Sequence, residues 1–172
     1  MKFSRVIVAA AMTTTSLMSV AGSAHAAPEP GATTAEVVGT VKIDRDNPDV
    51  AYVLARYRCT VADPENNPAH LWVSVKQNES RTADPAVAAP HAGWGGGVHA
   101  WRDSHRNPVN CDGKMHTERF AVDEVEGKQA WDALAKGKGW VQFCLFDDTT
   151  PKGDGETDFG QPVSSMVWAN VH

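Results

Sequence analysis

Histidines are the residues of this chain whose type and spacing most readily suggest chemistry. His91, His99 and His105 lie within one glycine-rich segment. Zinc and copper sites use three or four converging ligands, and imidazole nitrogen suits both metals. The three spacings match no tight ligand template. The sequence therefore offers a zinc or copper site at these residues as the alternative to scattered, solvated histidines.

Closely spaced carboxylates raise calcium as a second ion. Two turns carry them, with Asp44, Asp46 and Asp49 in the first and Asp154, Glu156 and Asp158 in the second. Calcium takes roughly six to eight oxygens, and an EF-hand loop also has a glycine and a distal bidentate glutamate. Both features are missing here. Solvated acidic turns are the better interpretation, and calcium is a weaker alternative than zinc or copper.

Tryptophans point to binding rather than to metals. Trp94 and Trp101 lie in the glycine-rich segment, and Trp72 alternates away from the apolar side chains of its own predicted strand. An exposed indole offers a flat apolar surface and one N–H donor, which suits stacking on sugars or anchoring a protein. The alternative is that these rings fold back over an edge of the domain. We take Trp94, Trp101 and Trp72 as candidate binding residues, with segment 89–107 as the contact surface.

Catalytic motifs are absent from the sequence. It contains no Gly-x-Ser-x-Gly, no His-Glu-x-x-His and no glycine-rich loop leading into a helix. Cys144 lies in an apolar run, where burial raises the pKa of a thiol instead of giving the thiolate that a nucleophile needs. No spacing identifies a carboxylate pair for glycoside hydrolysis. We predict a protein without catalytic activity.

The first residues have the organisation of a secretory signal peptide. A positively charged start precedes a short apolar run, and residues 23–26 have the small-x-small pattern of a cleavage site. We predict cleavage after Ala26, a flexible start over 27–35 and a single domain over 36–172. The apolar run is far shorter than the roughly 20 residues of a membrane span. The mature protein is expected outside the cell or in its envelope, with no membrane span.

The predicted mature chain is acidic. Removal of Lys2 and Arg5 with the signal peptide leaves 14 basic residues against 21 acidic ones, a net charge of −7. No basic stripe offsets this balance, and such a chain repels phosphate backbones. We expect no nucleic-acid partner, and instead a monomer that binds an extracellular glycan or protein.

Apolar and polar residues alternate with a period of two along much of the chain, which predicts β-strands as the elements that position these residues. Residues 51–61 alternate apolar and polar side chains, as expected of a strand with one buried side. Further strands are predicted over 37–43, 71–76, 116–122, 140–146 and 163–171. Residues 78–113 interrupt the pattern as a long loop or two short strands.

One short helix is predicted over 127–136, where Trp131 and Leu134 would share a side. Six or seven strands with one short helix indicate an all-β fold. We predict an antiparallel immunoglobulin-like sandwich rather than a closed barrel.

The three cysteines, Cys59, Cys111 and Cys144, all lie in the exported part, so one disulfide and one remaining thiol are expected. An immunoglobulin-type pairing would join Cys59 to Cys144 across the sheets. Alternation places Cys144 and Trp72 off the apolar faces of their strands, which weakens that pairing. Loop-closure entropy does not discriminate between the possible pairings, and the alternatives stay open.

Three short motifs carry a resemblance to a known group of proteins. They are Tyr57-Arg58-Cys59-Thr60, Trp72-Val73-Ser74-Val75-Lys76-Gln77 and Asn110-Cys111-Asp112-Gly113. On these motifs, over about residues 36–146, the chain resembles small exported actinobacterial proteins grouped as a domain of unknown function. The resemblance implies export, a β-sandwich and a Cys59–Cys111 disulfide. It brings no known activity, substrate or cofactor.

Overall fold

A computed structural model describes residues 32–61, 69–88, 97–106, 109–123, 131–147 and 162–172. The predicted signal peptide lies outside these residues. The described residues form eight strands and one helix: β1 (Thr34–Val37), β2 (Lys42–Ile43), β3 (Ala51–Arg58), β4 (His70–Gln77), α1 (Pro85–Ala88), β5 (Ala100–Arg106), β6 (His116–Val122), β7 (Gly137–Phe146) and β8 (Val163–Val171).

Two antiparallel sheets make up the fold. In sheet I, β3 pairs with β6 on one side and with β1 and β2 on the other. Sheet II has the order β5-β4-β7-β8. The chain passes from sheet I to sheet II after β3, returns for β6, and ends in sheet II. This confirms the predicted all-β, immunoglobulin-like sandwich, with eight strands where six or seven were predicted and with its short helix at a different place in the chain.

The core lies between the sheets and uses alternate residues of each strand, as the period of two predicts. Its largest rings belong to Tyr57, Phe120 and Phe143, whose centroids lie 5.4–6.2 Å apart. Around them pack branched aliphatic side chains, among them Val53, Leu71, Val73, Val75, Val122, Val141 and Leu145. Burial of these side chains is the main stabilising contribution to the sandwich.

The helix predicted over 127–136 is wrong in its described part, because residues 131–136 contain no helix. Trp131 contacts the ring of Trp101 at 5.8 Å between centroids, whereas Leu134 joins the core. The two side chains therefore diverge, while three-residue spacing in a helix would have placed them on one side.

Gln77, the last residue of β4, holds this non-helical path. Its side chain is 1% exposed. Its Nε2 donates to the carbonyl oxygens of Ala135 (2.8 Å) and Lys138 (3.2 Å), and its Oε1 accepts from the Ala135 N–H (2.9 Å). The bond to the Ala135 N–H occupies a donor that a helix over 127–136 would have paired with the Trp131 carbonyl.

Arg102 on β5 ties two further loops to the core-facing side of sheet II. Its guanidinium is buried and donates to the backbone oxygens of Trp101 and Asp132 and to the backbone and carboxylate oxygens of Asp49. The carboxylate lies 2.7 Å from Nη2. A buried guanidinium is tolerated because its donors are paired in this way.

The interrupting segment contains a strand and the helix of the fold. β5 occupies residues 100–106, so this part is not a loop. The four-residue helix α1 begins at Pro85, and Asp84 accepts the Ala86 N–H at 2.9 Å. Aspartate at the N-cap followed by proline is a common helix start. Asp84 and Pro85 have this pattern, so the sequence contained a signal for α1 that was not used.

The Cys59–Cys111 disulfide implied by the resemblance is confirmed, and Cys144 is a buried free thiol. Cys59 directly follows β3, and Cys111 lies in the turn that leads to β6. In that turn Gly113 has φ +79° and donates its N–H to the Cys59 carbonyl at 2.9 Å. Positive φ explains the glycine of the Cys-Asp-Gly motif.

Replacing Cys111 with serine should lower the free energy of unfolding by about 2–5 kcal/mol, because the unfolded chain regains the freedom that the crosslink removes. Cys144→Ser should cost only about 1–2 kcal/mol, through a buried hydroxyl. Urea unfolding of the purified mature protein measures both. A larger loss for Cys144→Ser would contradict the ranking.

Asp112 forms an acid-sensitive contact in the same turn. Its Oδ1 lies 2.7 Å from Nε2 of His116 and accepts the Lys114 N–H at 3.0 Å. These hydrogen bonds, that of His116 first, lower the pKa of Asp112 to about 2. The folded state therefore holds the ionised carboxylate more strongly than the unfolded chain does.

This contact should give stability that is complete above about pH 4 and lost as the pH falls towards about 2, since the pKa is depressed on folding. Urea unfolding of wild type and Asp112→Asn between pH 6 and pH 2 measures it. The difference between the two proteins should shrink over that interval. A difference that stays constant across the interval would refute the assignment.

Candidate functional site

The face of sheet II that turns away from the core carries four of the six tryptophans of the chain. Cross-strand register arranges its side chains in rows, one residue from each of β5, β4, β7 and β8. The rows are Trp101-Lys76-Trp140-Trp168, then Asp103-Ser74-Gln142-Met166, then His105-Trp72-Cys144-Ser164. We name this surface the tryptophan face.

Local sequence explains why these residues share a side. The odd positions from Leu71 to Val75 on β4 and from Val141 to Leu145 on β7 are aliphatic or aromatic and enter the core, so the even positions between them point outwards. Neighbouring aromatic residues on paired strands stabilise a sheet. Trp140 and Trp168 are such a pair, with ring centroids 5.2 Å apart and planes tilted by 55°.

The two halves of the tryptophan face differ in exposure. In the first two rows the side chains on β4 and β5 are buried, with Ser74 0%, Asp103 1% and Lys76 4% exposed. On β7 and β8, Trp140 and Trp168 are half-buried and Met166 is 46% exposed. The β7–β8 half is thus the accessible part of the face.

Lys76 holds the buried half together. Its Nζ lies 3.9 Å from the ring centroid of Trp101 and 5.9 Å from that of Trp72. An ammonium over an indole face is attracted by the ring quadrupole, most strongly where water is excluded. Lys76 therefore joins β4 to β5 on this face.

Asp103 lies in the row next to Lys76. Its Oδ2 accepts the indole N–H of Trp72 at 3.2 Å. Its Oδ1 has no hydrogen-bond partner within the described residues, and neither does the buried Nε1 of Trp101 or of Trp140. Within the described residues the β4–β5 half thus contains one acceptor and one donor that are unpaired, and the β7–β8 half contains one unpaired donor.

The sequence-based candidates are only partly brought together. Trp72 and Trp101 do share the tryptophan face, but Trp101 is 5% exposed and supports Lys76 instead of presenting a surface anchor. Trp94 lies outside the described residues. The described part of segment 89–107 contains β5, in which residues 100–104 are buried and His105 is exposed, and the contact surface predicted there stays a prediction.

Trp140 and Trp168 were missed, although the signal was present. Both alternate with core residues, as Trp72 does, so the argument that placed Trp72 on an outer face applies to them equally. Sequence reasoning selected tryptophans by their position in an unusual segment. The pairing of β7 with β8 places these two rings side by side.

His99 and His105, two of the three histidines predicted to bind a metal, lie far apart in the structure. They are six residues apart on an extended chain, roughly 20 Å. His99 pairs with Asp132 at 2.6 Å, whereas the His105 ring lies 6.2 Å from the ring of Trp72. His91 lies outside the described residues.

The first acidic turn uses its carboxylates internally. Asp44 accepts the N–H groups of Asp46 and Asn47 and the hydroxyl of Tyr52, and these bonds lower its pKa. Asp49 pairs with Arg102. The second turn, with Asp154, Glu156 and Asp158, lies outside the described residues. Within those that are described, no group of three or more His, Cys, Asp or Glu side chains could hold a metal ion.

Cys144 lies on β7 in the third row of the tryptophan face, opposite Trp72, and is itself buried. Burial raises the pKa of its thiol to about 11, against a smaller opposing effect of Lys76. A thiol with this pKa is protonated at neutral pH and is a poor nucleophile.

Trp72→Phe should lower the free energy of unfolding by about 1–3 kcal/mol, because it leaves the buried Asp103 carboxylate without its indole donor. Trp168→Phe is the matched control, since that indole makes no hydrogen bond within the described part of the chain. Urea unfolding compares them. Equal losses would show that the bond to Asp103 contributes nothing.

No helix among the described residues is long and apolar enough to cross a membrane.

Comparisons with known proteins do not identify a family for this chain. No family model matches the chain, and no curated protein or solved structure matches it either.

Proposed function

We propose that this chain is a secreted, non-catalytic binding protein whose contact surface is the β7–β8 half of the tryptophan face. One observation carries the proposal: Trp140 and Trp168 stand half-buried beside the exposed Met166 on a single sheet face. Aromatic residues and methionine are enriched in contact surfaces. Clustered apolar exposure of this kind marks binding sites.

Secretion is supported by the Cys59–Cys111 disulfide, since structural disulfides persist in oxidising compartments. The signal-peptide pattern at residues 1–26 and the resemblance to exported actinobacterial proteins agree with it. The absence of a membrane-spanning helix from the described residues is compatible with it.

A non-catalytic role is supported by the chemistry of the exposed half. Gln142, Ser164 and Met166 are the polar or flexible side chains there, and none provides an acid–base group near neutral pH. The adjacent Cys144 thiol is buried and protonated. General acid–base catalysis needs a titratable group within reach of the substrate.

Met166→Asp should weaken binding of the mature protein to the cell envelope of the bacterium that secretes it by at least about tenfold, because a carboxylate must then be desolvated at the contact. Leu54→Asp is the matched control. Leu54 is also an exposed hydrophobic residue, at 37%, but it lies on the outer face of sheet I. Co-sedimentation with isolated envelope measures all three proteins.

The proposal fails if wild type does not bind the envelope, or if Leu54→Asp loses binding while Met166→Asp keeps it. Thermal unfolding of both variants should show native stability to within about 1 kcal/mol, as expected for exposed positions.

A further inference from the structure

The exposed half of the tryptophan face is electrically neutral. Trp140, Gln142, Ser164, Met166 and Trp168 form it, and none of them is ionised. The first charged side chain along β7 on this face is Lys138, one row beyond Trp140. A neutral surface offers no charge complementarity to a charged polymer, which would lose hydration on binding without compensation.

Its polar groups suit a ligand that both donates and accepts hydrogen bonds. The Oε1 of Gln142 accepts from the Ser74 hydroxyl at 3.4 Å, which leaves the amide NH2 of Gln142 to donate outwards. Ser164 is exposed and its hydroxyl donates and accepts. Hydroxyl groups of a ligand satisfy both kinds of partner.

The indole rings add a flat apolar surface beside these groups. The C–H-bearing face of a sugar ring is flat and apolar, and its edge carries hydroxyls. Trp140 and Trp168 would pack against the face, and Gln142 in the next row would meet the edge. Rigid aromatic side chains lose little conformational entropy when they bind.

The spacing of the tryptophans sets the length of the ligand. Trp72 is opposite Cys144, four residues along β7 from Trp140 and two strands across from Trp168. Strand geometry puts Trp72 roughly 13 Å along and 10 Å across from Trp168, or about 16 Å away. Trp72 is also half-buried. A surface of this length is longer than one sugar ring.

We infer that the tryptophan face binds an uncharged oligosaccharide chain that runs from Trp140 and Trp168 to Trp72. This inference rests on the proposed binding function and names its ligand class. A protein partner is the competing occupant. The small number of exposed apolar side chains, interspersed with hydroxyl and amide groups, favours the sugar.

The test titrates the mature, disulfide-bonded protein by calorimetry with neutral β-glucan and α-glucan oligosaccharides, from monosaccharide to hexasaccharide. Affinity should rise with length until the chain reaches from Trp168 to Trp72, and then level off. Trp168→Ala should weaken binding of every length by about tenfold or more. Trp72→Ala should weaken the long chains and leave the disaccharide unchanged.

Two controls keep the test decisive. Gln142→Ala replaces Trp72→Ala if the latter does not fold, and it should weaken all lengths. Oligogalacturonides serve as the anionic counterpart and should bind more weakly than the neutral chains. Equal binding of the anionic chains, or affinity independent of length, would overturn the inference.

Failure of the inference is distinguishable from failure of the proposed function. Envelope binding that is sensitive to Met166→Asp, destroyed by protease treatment of the envelope and unaffected by oligosaccharides would identify a protein partner. That result would overturn the sugar and leave the binding role intact. Absence of any envelope or oligosaccharide binding would overturn both.

Discussion

The register between β4 and β7 is the constraint on which both the core and the tryptophan face depend. It places Val73 opposite Phe143 inside the sandwich and Trp72 opposite Cys144 outside. A slip of one residue would exchange the two faces of the strand. The Lys76 ammonium would then enter an aliphatic core, where an unpaired charge is very costly.

Buried polar groups on both faces of sheet II favour this register. Gln77 and Arg102 face the core side and fix the loops that flank β4 and β5. Lys76 and Asp103 lie on the other side and are held by the rings of Trp101 and Trp72. Buried polar groups of this kind specify one arrangement more than they stabilise it, because each has partners in only one register.

This buried layer explains how the exposed half can be rigid. Trp140 lies beside Lys76 across β4 and β7, and Trp168 lies beside Trp140 across β7 and β8. The backbone positions of Trp140 and Trp168 are therefore fixed by pairing with β4, whose own position is fixed by the buried contacts of Lys76. A preorganised surface pays less conformational entropy when a ligand binds.

The sequence predicts which side chains share a face of one strand, but it does not predict contacts between residues far apart in the chain. Alternation within a strand correctly placed Trp72 and Cys144 outside, and it contained the same information for Trp140 and Trp168. The helix predicted over 127–136 failed because Gln77 binds Ala135 from 58 positions away. Likewise, only the extended path of β5 beside β4 shows that His99 and His105 lie far apart and that Trp101 is buried against Lys76.

The disulfide and the proposed contact surface lie in different sheets. The disulfide and the Asp112–His116 contact lie at the β3 and β6 ends of sheet I, and the aromatic core separates them from the tryptophan face. Within that face, the central strand β4 supplies buried residues, whereas the edge strand β8 supplies the exposed Met166 and Ser164. Substitutions at exposed positions have small effects on stability. The exposed side chains of β8, which belong to the proposed contact surface, can therefore change without disturbing the register that holds the sandwich together.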